Sequence, residues 1–302
     1  MLFKELGTTG VQLPEVGIGT WDYHGGLEPL QRGLELGALF IDTAESYGSE
    51  PVVAEAIRGL RDRVFLATKV SPQHFRRADL FKAADGSLAR LRTDYIDLYQ
   101  LHKPNDRVPL EETLGAMEDL VERGKVRFIG VSNFSLEQLQ RAQRVMRKQA
   151  VVSNQVRFSL IDRTIDEALM PYCQRNKITV IAYSPLARGF QRIRDCDPAG
   201  VLAEVGKKMG RTAAQVALNW CLCREGVVII PKGNSVEHVL ENCGASDWRL
   251  SPEQAREIDE AILYRRRGRL ETLLRASVPP SLKPAIQFLA RISPRGLRRR
   301  LE

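Results

Sequence analysis

Short apolar runs alternate with amphipathic helical stretches along almost the whole chain, and this alternation limits its fold more than any other feature. Strands are predicted at Val16–Thr20, Leu39–Thr43, Val64–Val70, Tyr95–Leu101, Arg127–Val131, Val151–Gln155, Thr179–Tyr183 and Val227–Ile230. Helical periodicity fills the intervals near 26–37, 49–60, 76–92, 109–124, 135–147, 164–176, 199–223 and 235–243. A further helix is predicted over Pro252–Leu263, and the stretch 199–223, interrupted by Gly206 and Gly210, reads as two helices. Ahead of these units, Phe3–Leu6 and Val11–Pro14 flank Gly7-Thr8-Thr9-Gly10, the pattern of a small β-hairpin. Strands and helices in strict alternation form a parallel sheet with helical crossovers. Eight units without a long linker close into an α/β fold, a (β/α)8 TIM barrel. An open doubly wound sheet would need a glycine-rich phosphate loop after its first strand. Gly17-Ile18-Gly19-Thr20-Trp21-Asp22 lacks the third glycine of that pattern.

Composition narrows the function classes. A chain of 302 residues with 43% hydrophobic and 27% charged residues can bury a full globular core. No apolar run approaches the ~18 residues of a membrane-spanning helix, and Met1-Leu2-Phe3-Lys4-Glu5-Leu6 lacks the regions of a signal peptide. Five cysteines without C-x-x-C spacing or a nearby histidine at ligand spacing imply no metal site and reduced thiols in a cytoplasm. The net charge of +8 is concentrated in residues 264–302, which hold eleven Lys/Arg against two Glu. Residues 1–263 are close to neutral, with 34 basic and 35 acidic side chains, so the high pI does not point to nucleic acid. We therefore expect one barrel over 1–263 and a separate basic, partly helical tail over 264–302.

In a barrel the carboxyl ends of the strands converge on one mouth. Here they carry Asp42 with Tyr47 beyond it, Lys69, His102, Ser132-Asn133, Gln155, Tyr183 and Lys232. Asp42 as a helix cap and Tyr47 as a half-exposed ring would be the bland reading of one such stretch. Lys69 and His102, each ending a strongly apolar run, argue for a shared polar site instead. A phenol with an ordinary pKa near ~10 is a poor proton donor at neutral pH. An ammonium beside it favours phenolate, and a carboxylate holding that ammonium keeps it charged. A neutral imidazole can donate a hydrogen bond to a carbonyl oxygen. Asp42, Tyr47, Lys69 and His102 thus make a tuned acid and an oxygen-binding site, with no activated nucleophile among them. The reducing equivalent must come from elsewhere. The amides and hydroxyls of Ser132, Asn133 and Gln155 suit a carboxamide, and Tyr183 offers a flat face for a ring.

Jointly, several segments resemble the aldo-keto reductase superfamily. They are Gly17-Ile18-Gly19-Thr20-Trp21, Ile41-Asp42-Thr43-Ala44-x-x-Tyr47-Gly48, Thr68-Lys69, Leu101-His102-x-Pro104, Gly130-Val131-Ser132-Asn133-Phe134, Asn154-Gln155, Tyr183-Ser184-Pro185-Leu186 and Ile230-Pro231-Lys232. The resemblance spans about residues 1–262 in the family's order. It implies hydride transfer from a nicotinamide to an aldehyde or ketone, with Tyr47 as proton donor, Lys69 and Asp42 tuning it, and His102 orienting the carbonyl. It also implies cofactor contacts from Gly19, Thr20, Trp21, Asp42, Ser132, Asn133, Gln155, Tyr183, Ser184, Pro185, Leu186, Lys232, Ser235, His238, Glu241 and Asn242. Histidine rather than glutamate at position 102 favours carbonyl over C=C reduction. Where family members usually carry an arginine for the 2′-phosphate of NADP, this chain has His238, which offers one hydrogen bond and no fixed charge. NADP(H) is expected to be preferred, with NAD(H) also accepted and the preference growing as pH falls and the imidazole gains charge. An exposed helix histidine without that role is the other reading.

The pocket lining is expected from Trp21, Tyr23 and His24 after the first strand, Phe75 after the third and Phe134 after the fifth, which suits an apolar or aromatic carbonyl compound. Trp21 and Phe134 could equally pack the barrel rim. The loop Ala187–Arg194 is short and basic. In the tail, Arg265-Arg266-Arg267 and Arg298-Arg299-Arg300 bracket two apolar-bearing pieces broken by Pro279-Pro280 and Pro284. A lid over the mouth, a solvated extension and an amphipathic membrane or partner surface are its three readings. The sequence leaves the oligomeric state open. The rival from another class is a regulatory protein that keeps barrel and cofactor, as the potassium-channel β subunits that resemble this family do.

Overall fold

The computed structural model describes residues 1–264. The chain separates into two units, Met1–Tyr264 and Arg265–Glu302, and every expectation placed on the second falls outside the described residues. In the first unit, β1 (Phe3–Glu5) and β2 (Gln12–Pro14) form an antiparallel hairpin, Phe3 opposite Pro14 and Glu5 opposite Gln12. Strand–helix units follow in order: β3 (Ile18–Gly19), α1 (Glu28–Glu35), β4 (Phe40–Asp42), α2 (Glu50–Ala56), β5 (Phe65–Val70), α3 (Arg77–Leu91) and β6 (Ile96–Leu101). Then come α4 (Leu110–Glu122), β7 (Val126–Ser132), α5 (Leu136–Val145), β8 (Val151–Arg157), α6 (Leu169–Arg175) and β9 (Thr179–Tyr183). The chain continues through α7 (Phe190–Arg194), α8 (Val201–Met209), α9 (Ala213–Leu222), β10 (Val227–Ile230), α10 (Val236–Cys243) and α11 (Pro252–Ala261).

Strands β3 to β10 pair in sequence order, each parallel to the next. The ring closes where Val16 bridges Ile229, the Gly17 N–H donates to the Ile229 carbonyl at 2.8 Å, and the Gly19 N–H donates to Pro231 O at 3.1 Å. Closure at this seam needs glycine. A Cβ on Gly19 would lie 2.5 Å from the Ile230 carbonyl oxygen, and one on Gly17 would lie 2.6 Å from the Phe40 ring. Gly19 thus lets the first and last strands of the barrel meet, while Gly17 leaves room for the Phe40 ring on β4.

Leu6 and Leu13, both 0% exposed, join Phe40, Phe65, Ala67, Leu98, Val152, Ile181, Val228 and Ile230 in one cluster. The hairpin supplies the two leucines, and Lys4 anchors it at the amino end of the sheet by donating from Nζ to the carbonyls of Leu222, Arg224 and Val227. Burial lowers the Lys4 pKa to about 8, against the opposing pull of Glu15. One end of the barrel is therefore plugged with apolar side chains. A larger cluster, including Trp220, Tyr99 and Met117, fills the layer between strands and helices.

Two helices differ from the sequence expectation. The helix expected over 164–176 begins at Leu169, because Pro171 can sit only in a first turn, where its missing N–H has no acceptor to lose. The basic loop after β9 contains a short helix, α7. The stretch 199–223 is two helices, split at Gly210, whose φ of +64° ends α8 in the left-handed region. Among the described residues no helix is long and apolar enough to span a membrane and no His/Cys/Asp/Glu cluster could hold a metal ion; Cys173, Cys221, Cys223 and Cys243 are free thiols.

Candidate active site

The two-residue period of a strand carries each inward face from apolar to polar toward its carboxyl end. Phe40, Ala67 and Leu98 belong to the lumen cluster, and the next inward positions are Asp42 on β4, Lys69 on β5 and Gln100 on β6. All three are buried, Lys69 and Gln100 completely. Such a layer is tolerable only if every charge is met. Lys69 Nζ donates to Asp42 Oδ2 at 2.5 Å and to the Thr43 carbonyl at 2.8 Å. Asp42 Oδ1 accepts from Gln155 Nε2 at 2.7 Å and from Gln100 Nε2 at 3.1 Å. With both carboxylate oxygens and the ammonium bonded, the attraction in this dry setting offsets the desolvation of the pair. Burial alone would lower the Lys69 pKa. Asp42 and then Tyr47 reverse that, and the net shift is upward from 10.5, so the ammonium is permanent at neutral pH.

Tyr47 ends the 3-10 turn Glu45–Tyr47 that follows β4, and Gly48, at φ +72°, carries the chain into α2. Its hydroxyl lies 3.3 Å from His102 Nε2, the two rings meeting edge to face with centroids 5.4 Å apart. The Lys69 ammonium lies 4.9 Å from the phenol ring centroid. Sequence reasoning expected this ammonium to pull the phenol toward phenolate. In the structure burial is the larger influence; Lys69 lowers the pKa, Asp42 raises it again, and the net shift is upward from 10.0. The phenol is therefore held protonated.

His102 is the first residue beyond β6. Its N–H donates to the Val70 carbonyl at 3.1 Å, and its carbonyl accepts from Asn133 Nδ2 at 3.1 Å. Burial, with the charges of Lys69 and Lys103, lowers the imidazole pKa to about 4. A neutral ring is the result.

Beside this pair, Ser132, Asn133, Gln155 and Tyr183 form one hydrogen-bonded group. Ser132 Oγ and the Asn133 N–H both donate to the Gln155 carbonyl at 2.9 Å, and Asn133 Nδ2 donates to Ser132 Oγ at 2.9 Å. The Tyr183 hydroxyl donates to Asn133 Oδ1 at 2.8 Å, leaving its ring half-buried at the mouth. Asn133 and Ser184 both adopt left-handed backbone, at φ +61° and +52°. Thr20 Oγ1 donates to the Asp42 carbonyl at 3.0 Å and ties β3 to β4 just past Gly19. Pro185 is buried and Leu186 half-buried in the turn beyond Tyr183.

Farther out, Lys232 Nζ donates to the Asp22 carbonyl at 2.8 Å and to its Oδ2 at 3.2 Å. Trp21, 47% exposed, lies between two cations, with the Arg188 guanidinium 4.9 Å and Lys232 Nζ 5.6 Å from its ring centroid. Ser235 caps α10 by accepting the His238 N–H at 3.3 Å, while the His238 side chain is exposed. Glu241 accepts from Thr212 Oγ1 at 2.8 Å, and Asn242, buried, donates to the Lys232 carbonyl at 3.4 Å. His24 pairs with Asp22 and, through its N–H, with Asn234.

The expected aromatic lining divides. Trp21 is presented to solvent at the mouth; Tyr23 is half-buried and donates to the Gly26 carbonyl at 2.9 Å. Phe75 and Phe134 are 2% and 3% exposed and belong to the layer between strands and helices, so both rings are core and neither offers a face to a small molecule. Sequence reasoning missed Gln100, which shares Asp42 with Gln155. It also missed Asp22 and Arg188, which engage Lys232 and Trp21.

The aldo/keto reductase family model matches residues 15–263. This chain belongs to the aldo/keto reductase family. It is an oxidoreductase of that family with the barrel architecture seen in its solved members. The chain is 38% identical over 262 residues to the methylglyoxal reductase YeaE of Escherichia coli (strain K12), covering 83% of this chain and 92% of that protein. It is 32% identical over 313 residues to the aldo-keto reductase YhdN of Bacillus subtilis (strain 168), covering 87% and 94% respectively. An aldo/keto reductase from Klebsiella pneumoniae, solved with NADP and acetate, superposes with a TM-score of 0.80 at 39% identity, over 88% of this chain and 96% of that one.

Proposed function

We propose that this chain reduces an aldehyde or ketone to an alcohol with NADPH as hydride donor and Tyr47 as proton donor. The observation that carries the reading is the Tyr47 hydroxyl, held protonated 3.3 Å from a neutral His102 and beside the buried Lys69–Asp42 pair. The residues around it suit a nicotinamide dinucleotide. Tyr183 gives a ring face, Ser132, Asn133 and Gln155 give amide and hydroxyl partners, Lys232 gives a cation, and α10 gives a capped helix N-terminus. When bound, NADPH supplies the hydride.

The protein's own part is to hold and protonate the carbonyl oxygen. An oxygen placed between Tyr47 and His102 meets two neutral hydrogen-bond partners, and the permanent Lys69 charge favours the negative charge that grows there. Tyr47 then releases its proton to that oxygen, and the transient phenolate is stabilised by the same ammonium. Asp42 does not touch the substrate; with Gln100 and Gln155 it fixes Lys69. Methylglyoxal is one compound to test, by analogy with YeaE. NADPH is expected to be used in preference to NADH. The exposed His238, in place of an arginine, supports a narrower margin between the two cofactors.

The deciding experiment follows NADPH or NADH absorbance during incubation with methylglyoxal, 4-nitrobenzaldehyde and phenanthrenequinone. Turnover of at least one compound, faster with NADPH, is the expected result. Tight NADPH binding without turnover of any of them would favour the regulatory alternative.

A further inference from the structure

A second set of hydrogen bonds surrounds Tyr47 that the chemistry above leaves unused. Glu45 opens the three-residue turn that ends in Tyr47, and that turn has no side-chain cap of its own. So short a 3-10 segment does not support itself. The Glu45 side chain is 9% exposed, its Oε1 accepting the Ser71 N–H at 2.5 Å and lying 3.0 Å from His74 Nδ1. Ser71 directly follows β5, two positions beyond Lys69. Pro72, in the turn Pro72–His74, offers its carbonyl to Asn105 Nδ2 at 2.7 Å, and Asn105 lies three positions beyond His102. The loops after β4, β5 and β6 are thus bonded in series, each next to a strand that delivers one part of the site.

We propose that Glu45 is a positioning residue for the proton donor: clasped by Ser71 and His74, it sets the Tyr47 hydroxyl against Lys69 and His102, with Asn105 steadying the far side of the clasp. This rests on the reading of Tyr47 as the acid. Misplacement of a reacting group by about 1 Å can cost ~100-fold in rate. Removing the clasp should therefore act on turnover, not on cofactor affinity. A buried carboxylate kept only to stabilise the fold would lower the unfolding free energy when removed and leave the kcat of the folded enzyme unchanged.

The test compares Glu45→Ala, Glu45→Gln and Asn105→Ala with wild type in the full chain. NADPH affinity is measured by fluorescence, and kcat, KM and the solvent deuterium isotope effect with a reducible aldehyde. Glu45→Ala should lower kcat ~10- to 100-fold and raise the isotope effect, leaving NADPH affinity within about twofold. Glu45→Gln, which keeps an oxygen for the Ser71 N–H, should recover most of the loss, and Asn105→Ala should show a smaller deficit. Wild-type kcat in Glu45→Ala would overturn the proposal, as would equal losses in the Ala and Gln variants. Tyr47→Phe run alongside separates the two readings. If it keeps turnover, the assignment of the acid fails. If it is inactive while Glu45→Ala is normal, only the clasp fails.

Discussion

At the scale of single residues, the site is a contest between burial and charge, and each group resolves it differently. Lys69 is lifted by Asp42 against burial, whereas His102 has no carboxylate partner and falls to about 4 from an ordinary 6.5. A depressed histidine has a defined consequence for stability. Between those two values the unfolded chain binds more protons than the folded one, so stability rises with pH. The contribution is complete above about 6.5 and is lost as pH falls toward 4. Allowing for solvent screening of a half-buried ring, it amounts to about 1–2 kcal/mol. Urea unfolding at pH 7 and pH 4.5 should therefore show a smaller stability loss in His102→Gln than in wild type, by about that amount; equal losses would contradict the assignment. Asp42, Tyr47, Lys69 and His102 were legible in the sequence because charged or polar groups at the ends of apolar runs are costly unless they meet. Gln100 was not, since an amide within a run shows its inward direction only once the lumen parity is known. Nor could the sequence say that burial would outweigh Lys69 at Tyr47.

At the scale of elements, alternation announced the barrel, but two details of backbone decide what faces the lumen. Val152 belongs to the lumen cluster, and so, by its bond to Asp42, does the Gln155 amide; a plain two-residue period would put them on opposite faces. The pairing of β7 with β8 slips there, Ile129 facing Val151 and Gly130 facing Ser153, so that Val152 is an extra residue and the period is reset. Gly130 is needed beside the slip, because a Cβ there would lie 2.6 Å from Ser153 Oγ and 3.0 Å from Gln100 Cγ. Neither feature has a signal in a strand pattern read one segment at a time. The seam is similarly exacting. Gly19→Ala would force its methyl against the Ile230 carbonyl, and backbone cannot yield cheaply. We expect the variant to lose about 1–3 kcal/mol of unfolding free energy, read as a lowered urea midpoint; an unchanged midpoint would mean that the seam can open to admit a methyl group.

At the scale of the whole molecule, an apolar plug and a polar cluster occupy opposite ends of one barrel. The amino end is sealed by Leu6 and Leu13 from the hairpin, and the carboxyl end gathers Asp42, Tyr47, Lys69, His102, Asn133, Gln155 and Tyr183. The gathering at the carboxyl end was foreseeable from the order of strands and the residues that end them. The aromatic lining was not, because Phe75 and Phe134 follow strands just as a rim residue would, yet turn back into the packed layer behind the sheet. The proposed role of Tyr47 is to supply the proton in carbonyl reduction. Its most direct test is Tyr47→Phe, assayed at saturating NADPH with the best aldehyde of the panel and titrated with NADPH by fluorescence. Turnover should fall by ~10²- to 10⁴-fold while NADPH affinity stays within about twofold of wild type. A variant that reduces the aldehyde at the wild-type rate would contradict the account.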